Sequence, residues 1–383
     1  MRRRGNAAAW GGVVLATLAI LVATLHAGGT KIAPGWSFSI TSGDAALAEL
    51  IQNLLLFIPL GLSLTLAGVR PLRVVALGAL LSFAVEFAQQ WIPGRDPSVG
   101  DIVCNSISTA LGVALVLFAP QWLTTAPRRS AWQALATAVA AVLVWIGTGA
   151  MLRQSFPPPP YHTANAPELN SWGRYQGQVL WSSFAIGALS VRATAPSRPP
   201  GRAAPLVAVL DPRNVELFIL AMDGRDLSLS YHMPAIRWTL GAPDLRWRGA
   251  FANVAPGDTF TAATSSDGKQ ICLGLNGEKR CGFGYTVGDG WKLIFDPERW
   301  PGGVLTTINA LWIAGCVIGV GFWAARTSGG EGRREAATAK VAVGIVLLGL
   351  IVAPWITGLN GTTVWEWIGA LGGIEVGLVM GKP

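Results

Sequence analysis

Between Glu86 and Asn105 the chain gathers the acids Glu86, Asp96 and Asp101, the amides Gln89, Gln90 and Asn105, and Arg95. Carboxyl groups can serve as acid or base at a reacting bond, and acids, amides and an arginine together can hold a lipid head group. The spacing gives them order. Glu86 and Gln90 stand four residues apart, on one face of a helix, with Ser82 a turn away. Asp101, Asn105, Ser108 and Gly112 share a face of the next apolar stretch, and Gln52 and Asn53 open an earlier one. Two readings follow. In one, Asn53, Glu86, Gln90, Arg95, Asp101 and Asn105 line a ligand site. In the other, Arg95 holds Glu86 and Asp101, while Gln90 and Asn105 cross-link helices.

The flanking stretches decide how these residues are positioned. Only 13% of the 383 residues are charged and 51% are hydrophobic, whereas a soluble chain carries about a quarter charged residues. The deficit is concentrated in eight apolar runs: Ala8–Ala27, Ile51–Val69, Val74–Trp91, Ile102–Ala119, Trp132–Met151, Leu305–Ala325, Val341–Ile356 and Thr363–Met380. Each approaches or reaches the roughly 20 residues that cross a bilayer as helix. The first resembles a secretory signal, with three arginines before it and small residues after it. It is longer than the usual apolar region of about 7–15 residues, so we read it as a retained span.

Lysine and arginine set the orientation. With a cytoplasmic N-terminus, the inner segments carry Arg2, Arg3, Arg4, Arg70, Arg73, Arg128, Arg129, Arg326, Arg333, Arg334, Lys340 and Lys382. The short outer loops then hold only Lys31 and Arg95. Trp91, Trp122, Trp132, Trp300 and Trp365 fall near segment ends, as an interfacial belt requires. The net charge of +8 is thus accounted for without a nucleic-acid partner. The expected protein is multi-pass, with both termini cytoplasmic and the polar cluster near the outer face.

A long insertion, residues 152–301, changes character. It opens on the stiff spacer Pro157–Pro160 and continues in short runs such as "APLVAVLDP" and "VELFILAMDGRDLSLSYHM". A turn at Asp223-Gly224 would pair Leu220 with Leu227 and Phe218 with Leu229. A type I′ turn at Asn276-Gly277 pairs Leu275 with Glu278, which sets Cys272 opposite Cys281. At a non-hydrogen-bonded position the Cα separation of about 4.5 Å suits a disulfide. That bond needs an oxidising compartment, in agreement with an extracytoplasmic insertion. Cys104 and Cys316 sit within helices as packing residues. The expected organisation is helices over 1–151, a β domain over 152–301 and helices over 302–383.

Many short antiparallel strands imply a sandwich. Residues Gly173–Pro297 resemble the concanavalin A-like or laminin-G-like jelly roll, through strand rhythm and the "DGKQICLGLNG" hairpin. The resemblance implies glycan binding. Trp181, Trp238, Trp247 and Trp291 are either sugar platforms or core, and Asp211, Asp223 and Asp289 either line a calcium loop or simply make turns.

The helical cluster carries a second resemblance. "NLLLFIPLG" from Asn53, "EFAQQ" from Glu86, "GRD" with Arg95 and "DIVCNSISTALG" from Asp101 resemble the VanZ-like family over Asp44–Ala119. Ser106 and Ser108 depart from the Thr and Gly expected there. The resemblance implies a link to low-level teicoplanin resistance, a phenotype that defines no reaction. Gly369, Gly373 and Gly377 form a small-residue stripe for close helix packing. The sequence has no nucleotide loop, zinc-ligand spacing or nucleophile triad, and His26, His162 and His232 are scattered. It therefore favours, without a cofactor, a membrane protein that binds lipid or a lipid-linked wall precursor and docks on wall glycan. The alternative is a membrane enzyme using Glu86 or Asp101 as acid or base at the outer leaflet.

Overall fold

The computed structural model describes residues 2–26, 36–38, 45–123, 126–155, 159–170, 172–185, 187–266, 270–295, 300–327 and 333–382. Lys31, Asp44, Pro157, Pro158 and Pro297, used in the sequence reading, lie outside them. Among the described residues, eight helical segments are long and apolar enough to cross a membrane, and a two-sheet β domain is inserted between the fifth and sixth. The chain divides into two compact units, Met1–Ala126 and Pro127–Pro383.

The first unit holds α1 (Arg2–Thr24), α2 (Ala46–Leu56), α3 (Ile58–Leu66), α4 (Pro71–Gln89) and α5 (Val99–Leu123). α2 and α3 form one span, broken at Phe57 because Pro59 brings no N–H and its ring crowds the carbonyl a turn earlier. The span begins at Ala46 rather than Ile51. Glycines let the helices close. A methyl on Gly61 or Gly78 would strike Thr109, and one on Gly112 would strike the Ile58 carbonyl. In lipid, where apolar burial drives nothing, such close approach is what joins helices. Ser108 fits this seam because its hydroxyl donates to the Leu54 carbonyl at 2.6 Å.

The second unit begins with α6 (Pro127–Leu152). The β domain follows: β1 (His162–Asn165), β2 (Val179–Ala185), β3 (Ala188–Thr194), β4 (Ala204–Leu210), β5 (Glu216–Asp223), β6 (Asp226–Tyr231), a short α7 (Pro234–Arg237), β7 (Leu245–Trp247), β8 (Thr259–Ser266), β9 (Ile271–Leu275) and β10 (Glu278–Phe283). One sheet runs β1-β4-β5-β6-β7 and the other β10-β9-β8-β3-β2, with every paired neighbour antiparallel. Leu189, Val191, Leu206, Leu220, Leu229, Phe260 and Leu273 fill the core between them.

The β9–β10 hairpin turns at Asn276-Gly277, both at positive φ, and pairs Cys272 with Cys281 in a disulfide with Cα atoms 4.0 Å apart. The β5–β6 hairpin differs from expectation. Its central residues are Gly224 and Arg225, so Leu220 faces Leu229 and Phe218 faces Tyr231. Only Gly224 has positive φ, the pattern of a II′ turn, which wants glycine first. The register moves by two residues, so the apolar face is kept. Trp247 and Trp291 are buried, whereas Trp181 and Trp238 are 52% and 60% exposed.

Helices α8 (Gly302–Ala325), α9 (Arg333–Thr357) and α10 (Val364–Gly381) complete the unit. The small-residue stripe is the α8–α10 seam. Cβ atoms on Gly369, Gly373, Gly377 and Gly381 would meet the carbonyl oxygens of Ala310, Ala314, Ile318 and Phe322 in turn. The constant offset shows that α8 and α10 run parallel.

Candidate functional site

The polar residues singled out in the sequence converge on one end of the first unit. α4 and α5 run antiparallel, so the end of one meets the start of the other, and α2 begins beside them. Glu86 lies one turn before the end of α4 and is only 2% exposed. Its Oε2 accepts the backbone N–H of Ser98 at 2.9 Å. Asp101, in the first turn of α5, accepts from Asn53 Nδ2 at 2.7 Å. One turn along, Asn105 donates from Nδ2 to Ser82 Oγ at 3.0 Å, and its Oδ1 is buried without a hydrogen-bond partner among the described residues. Asn53, Glu86, Asp101 and Asn105 are therefore brought together across three helices.

Arg95 and Gln90 take other places. Arg95 was expected to hold Glu86 and Asp101. It instead donates to the carbonyls of Ala23, at 3.2 Å, and His26, at 3.1 Å, and contacts the His26 ring. The last carbonyls of α1 have no helical partner and carry the negative end of its dipole, so they compete well for a guanidinium. No ion pair joins Glu86 or Asp101 to a cation among the described residues. Gln90 caps α4 and is half-buried. Gln89 makes the cross-link instead, donating to the Thr24 carbonyl at 3.1 Å. Glu49, which the sequence reading passed over, is four residues before Asn53 on α2 and lies in the field of Asp101, Arg95 and Asp96. Ser37 pairs with the Pro97–Val99 backbone over this end of the unit.

Residues 14–120 match the VanZ/LLP1 family model. The match adds the second half of α1 to the range that the motifs delimit. No curated protein and no solved structure matches the chain. The β domain and the C-terminal helices lie beyond the matched residues.

A second buried polar group lies in the other unit, and of its residues the sequence had singled out Asp289 and Trp291. Glu366, in the first turn of α10, is fully buried. Its Oε1 accepts from Gly288 N at 2.9 Å and from the Thr286 hydroxyl, and its Oε2 accepts from Thr363 N at 2.7 Å. Asp289 accepts from Thr286 N, from Asn309 Nδ2 and from Lys292 Nζ at 2.7, 2.9 and 2.6 Å. Asp289 therefore ties a 3-10 turn, Val287–Leu293, to α8, and Glu366 ties it to α10. Asp223 pairs with Arg246, and Asp211 Oδ1 accepts from Arg213 N and Val215 N, each at 2.8 Å. These three aspartates are committed to structural bonds. The Thr363-x-x-Glu366 capping box is legible in the sequence. Its second role is not, because the donors come from a distant turn.

Proposed function

We propose that the VanZ-like unit binds the head group of a lipid or lipid-linked cell-wall precursor at its polar end, and through it contributes to glycopeptide tolerance. The reading rests on one observation: Glu86 is buried with Asp101 nearby, and no cation is ion-paired to either among the described residues. Buried carboxylates in a membrane protein are costly unless paired or used. The orphaned Asn105 Oδ1 adds a buried acceptor at the same helix seam. Both termini are cytoplasmic in this reading, and the β domain, read as a concanavalin A-like sandwich, faces the envelope. There its exposed Trp181 and Trp238 offer rings on which sugars stack.

Full-length protein in nanodiscs tests the reading by titration with a lipid-linked wall precursor. Saturable binding that Glu86→Gln removes supports it, and binding no greater than to empty nanodiscs refutes it. Precursor turnover that disappears in Glu86→Gln would replace it with an outer-leaflet enzyme using Glu86 or Asp101 as acid or base. A reporter fused at Pro199 that reads as cytoplasmic would overturn the orientation.

A further inference from the structure

A cavity of about 240 Å³ opens in the second unit where the β domain meets α8. Arg246, Arg248 and Lys292 line it, with Asp244 as the one lining carboxylate among the described residues. Arg246 is also held by Asp223 and Lys292 by Asp289, but neither of these acids lines the cavity. Arg248 is exposed, and its guanidinium donates to the Trp300 carbonyl. Asp244 also pairs with Arg246, and the Arg246 and Lys292 side chains are mostly buried in these ion pairs, so Arg248 is the cation that this wall turns to the solvent, held by a carbonyl rather than by a carboxylate.

Its position is as informative as its charge. Leu305, in the first turn of α8, forms part of the wall. α8 is long and apolar enough to cross a membrane, so its first turn marks the level of the head groups. Trp300, just before α8, stacks on Trp291 at 6.0 Å and is half-exposed, as an interfacial anchor would be. Arginine suits planar, bidentate contact with phosphate oxygens.

We propose that this cavity binds the phosphate of an anionic ligand at the membrane surface, with Arg248 as its principal contact and Lys292 and Arg246 supporting the charge. The proposal concerns a site separate from the VanZ-like polar cluster and does not depend on what that cluster binds. The phosphate can come from a membrane lipid or from a soluble ester, and one experiment separates the sources.

Full-length protein is placed in nanodiscs of phosphatidylcholine alone or with phosphatidylglycerol, and the lipids it retains are counted by native mass spectrometry. A parallel sample in detergent is titrated with glycerol phosphate and followed by its thermal transition. The expected result is preferential retention of phosphatidylglycerol, weakened about tenfold to a hundredfold by Arg248→Glu and weakened less by Arg248→Lys, which keeps the charge but loses the bidentate fork. Arg213→Glu, an exposed charge change elsewhere in the β domain, should leave it intact. A response to glycerol phosphate alone, lost in Arg248→Glu, also supports the phosphate site and assigns a soluble source. Equal losses in Arg248→Glu and Arg213→Glu would mean diffuse surface charge and would overturn the proposal. So would the absence of preference in both arms of the wild type.

Discussion

Removing Glu366 should cost the second unit more stability than any exposed acid does, and the size follows from its donors. The carboxylate is fully buried and takes hydrogen bonds from Gly288 N, Thr363 N and the Thr286 hydroxyl. In Glu366→Ala the Thr286 hydroxyl can still turn to Asp289 Oδ2, 3.2 Å away, but the two N–H groups are left without acceptors. Gly288 N, a buried donor left unmade, costs about 1–3 kcal/mol, and Thr363 N, on an exposed residue that water can reach, adds less. Glu366→Gln keeps the shape and one carbonyl oxygen, enough for Gly288 N and Thr286. Its amide then faces Thr363 N, donor against donor, at a smaller cost than losing the Gly288 N bond, because the exposed Thr363 can turn to water. Glu168→Ala is the control, since that acid is exposed in an ion pair with Arg174 and should matter by less than about 1 kcal/mol. Thermal melts of the full-length protein in one detergent should rank wild type and Glu168→Ala highest, then Glu366→Gln, then Glu366→Ala. A Glu366→Ala protein that melts with the wild type would refute the argument that this network binds the 3-10 turn to α10.

Other outcomes follow from the same packing. Gly373→Val places its Cβ about 2.5 Å from the Ala314 carbonyl oxygen and should part α8 from α10, while Gly344→Ala, whose Cβ meets nothing, should be neutral or mildly stabilising in the same melts. Peptide mapping under thiol-blocking conditions should recover Cys272 linked to Cys281. Replacing both by serine should cost about 2–3 kcal/mol, the chain-entropy value for a loop this short. His232 is buried, and desolvation first, then Arg237, lowers its pKa below the ordinary 6.5. Its neutral form is favoured in the fold, so the stability it contributes is present above pH 6.5 and is lost as pH falls toward the depressed value. Unfolding of wild type against His232→Gln between pH 7 and 5 should show a smaller acid loss in the variant.

The residues that were legible in the sequence are those whose signal is local. Eight runs of apolar residues became eight spans because bilayer thickness fixes their length. Alternation around Asn276-Gly277 placed Cys272 against Cys281, and a four-residue glycine spacing marked the α8–α10 seam. The misses share a cause as well. The β5–β6 turn depended on which residue adopted positive φ, and Asp223-Gly224 and Gly224-Arg225 both fit the flanking pattern. Arg95 had two acidic partners in its sequence neighbourhood, and the carbonyls at the end of α1, far back in the chain, won. Gln89 made the cross-link in place of Gln90 because its partner, the Thr24 carbonyl, lies 65 residues back in the chain. Glu366 was hidden for a similar reason. Its donors Thr286 and Gly288 lie 80 and 78 residues away, and no periodicity announces such a pairing.

Paired binding and melting data on Glu86→Gln and Asp101→Asn test whether Glu86 and Asp101 serve a ligand rather than the fold. Both changes keep an acceptor, for Ser98 N in one case and for Asn53 Nδ2 in the other, so packing should survive the loss of charge. Arg95→Ala does not serve here, because Arg95 anchors the end of α1. If Glu86 and Asp101 serve a ligand, precursor binding by nanodisc-embedded protein is lost in both variants while their melting temperatures stay with the wild type. Melting temperatures that fall in proportion to binding would contradict that role, since breaking a buried structural pair costs about 3–5 kcal/mol and would show in every melt.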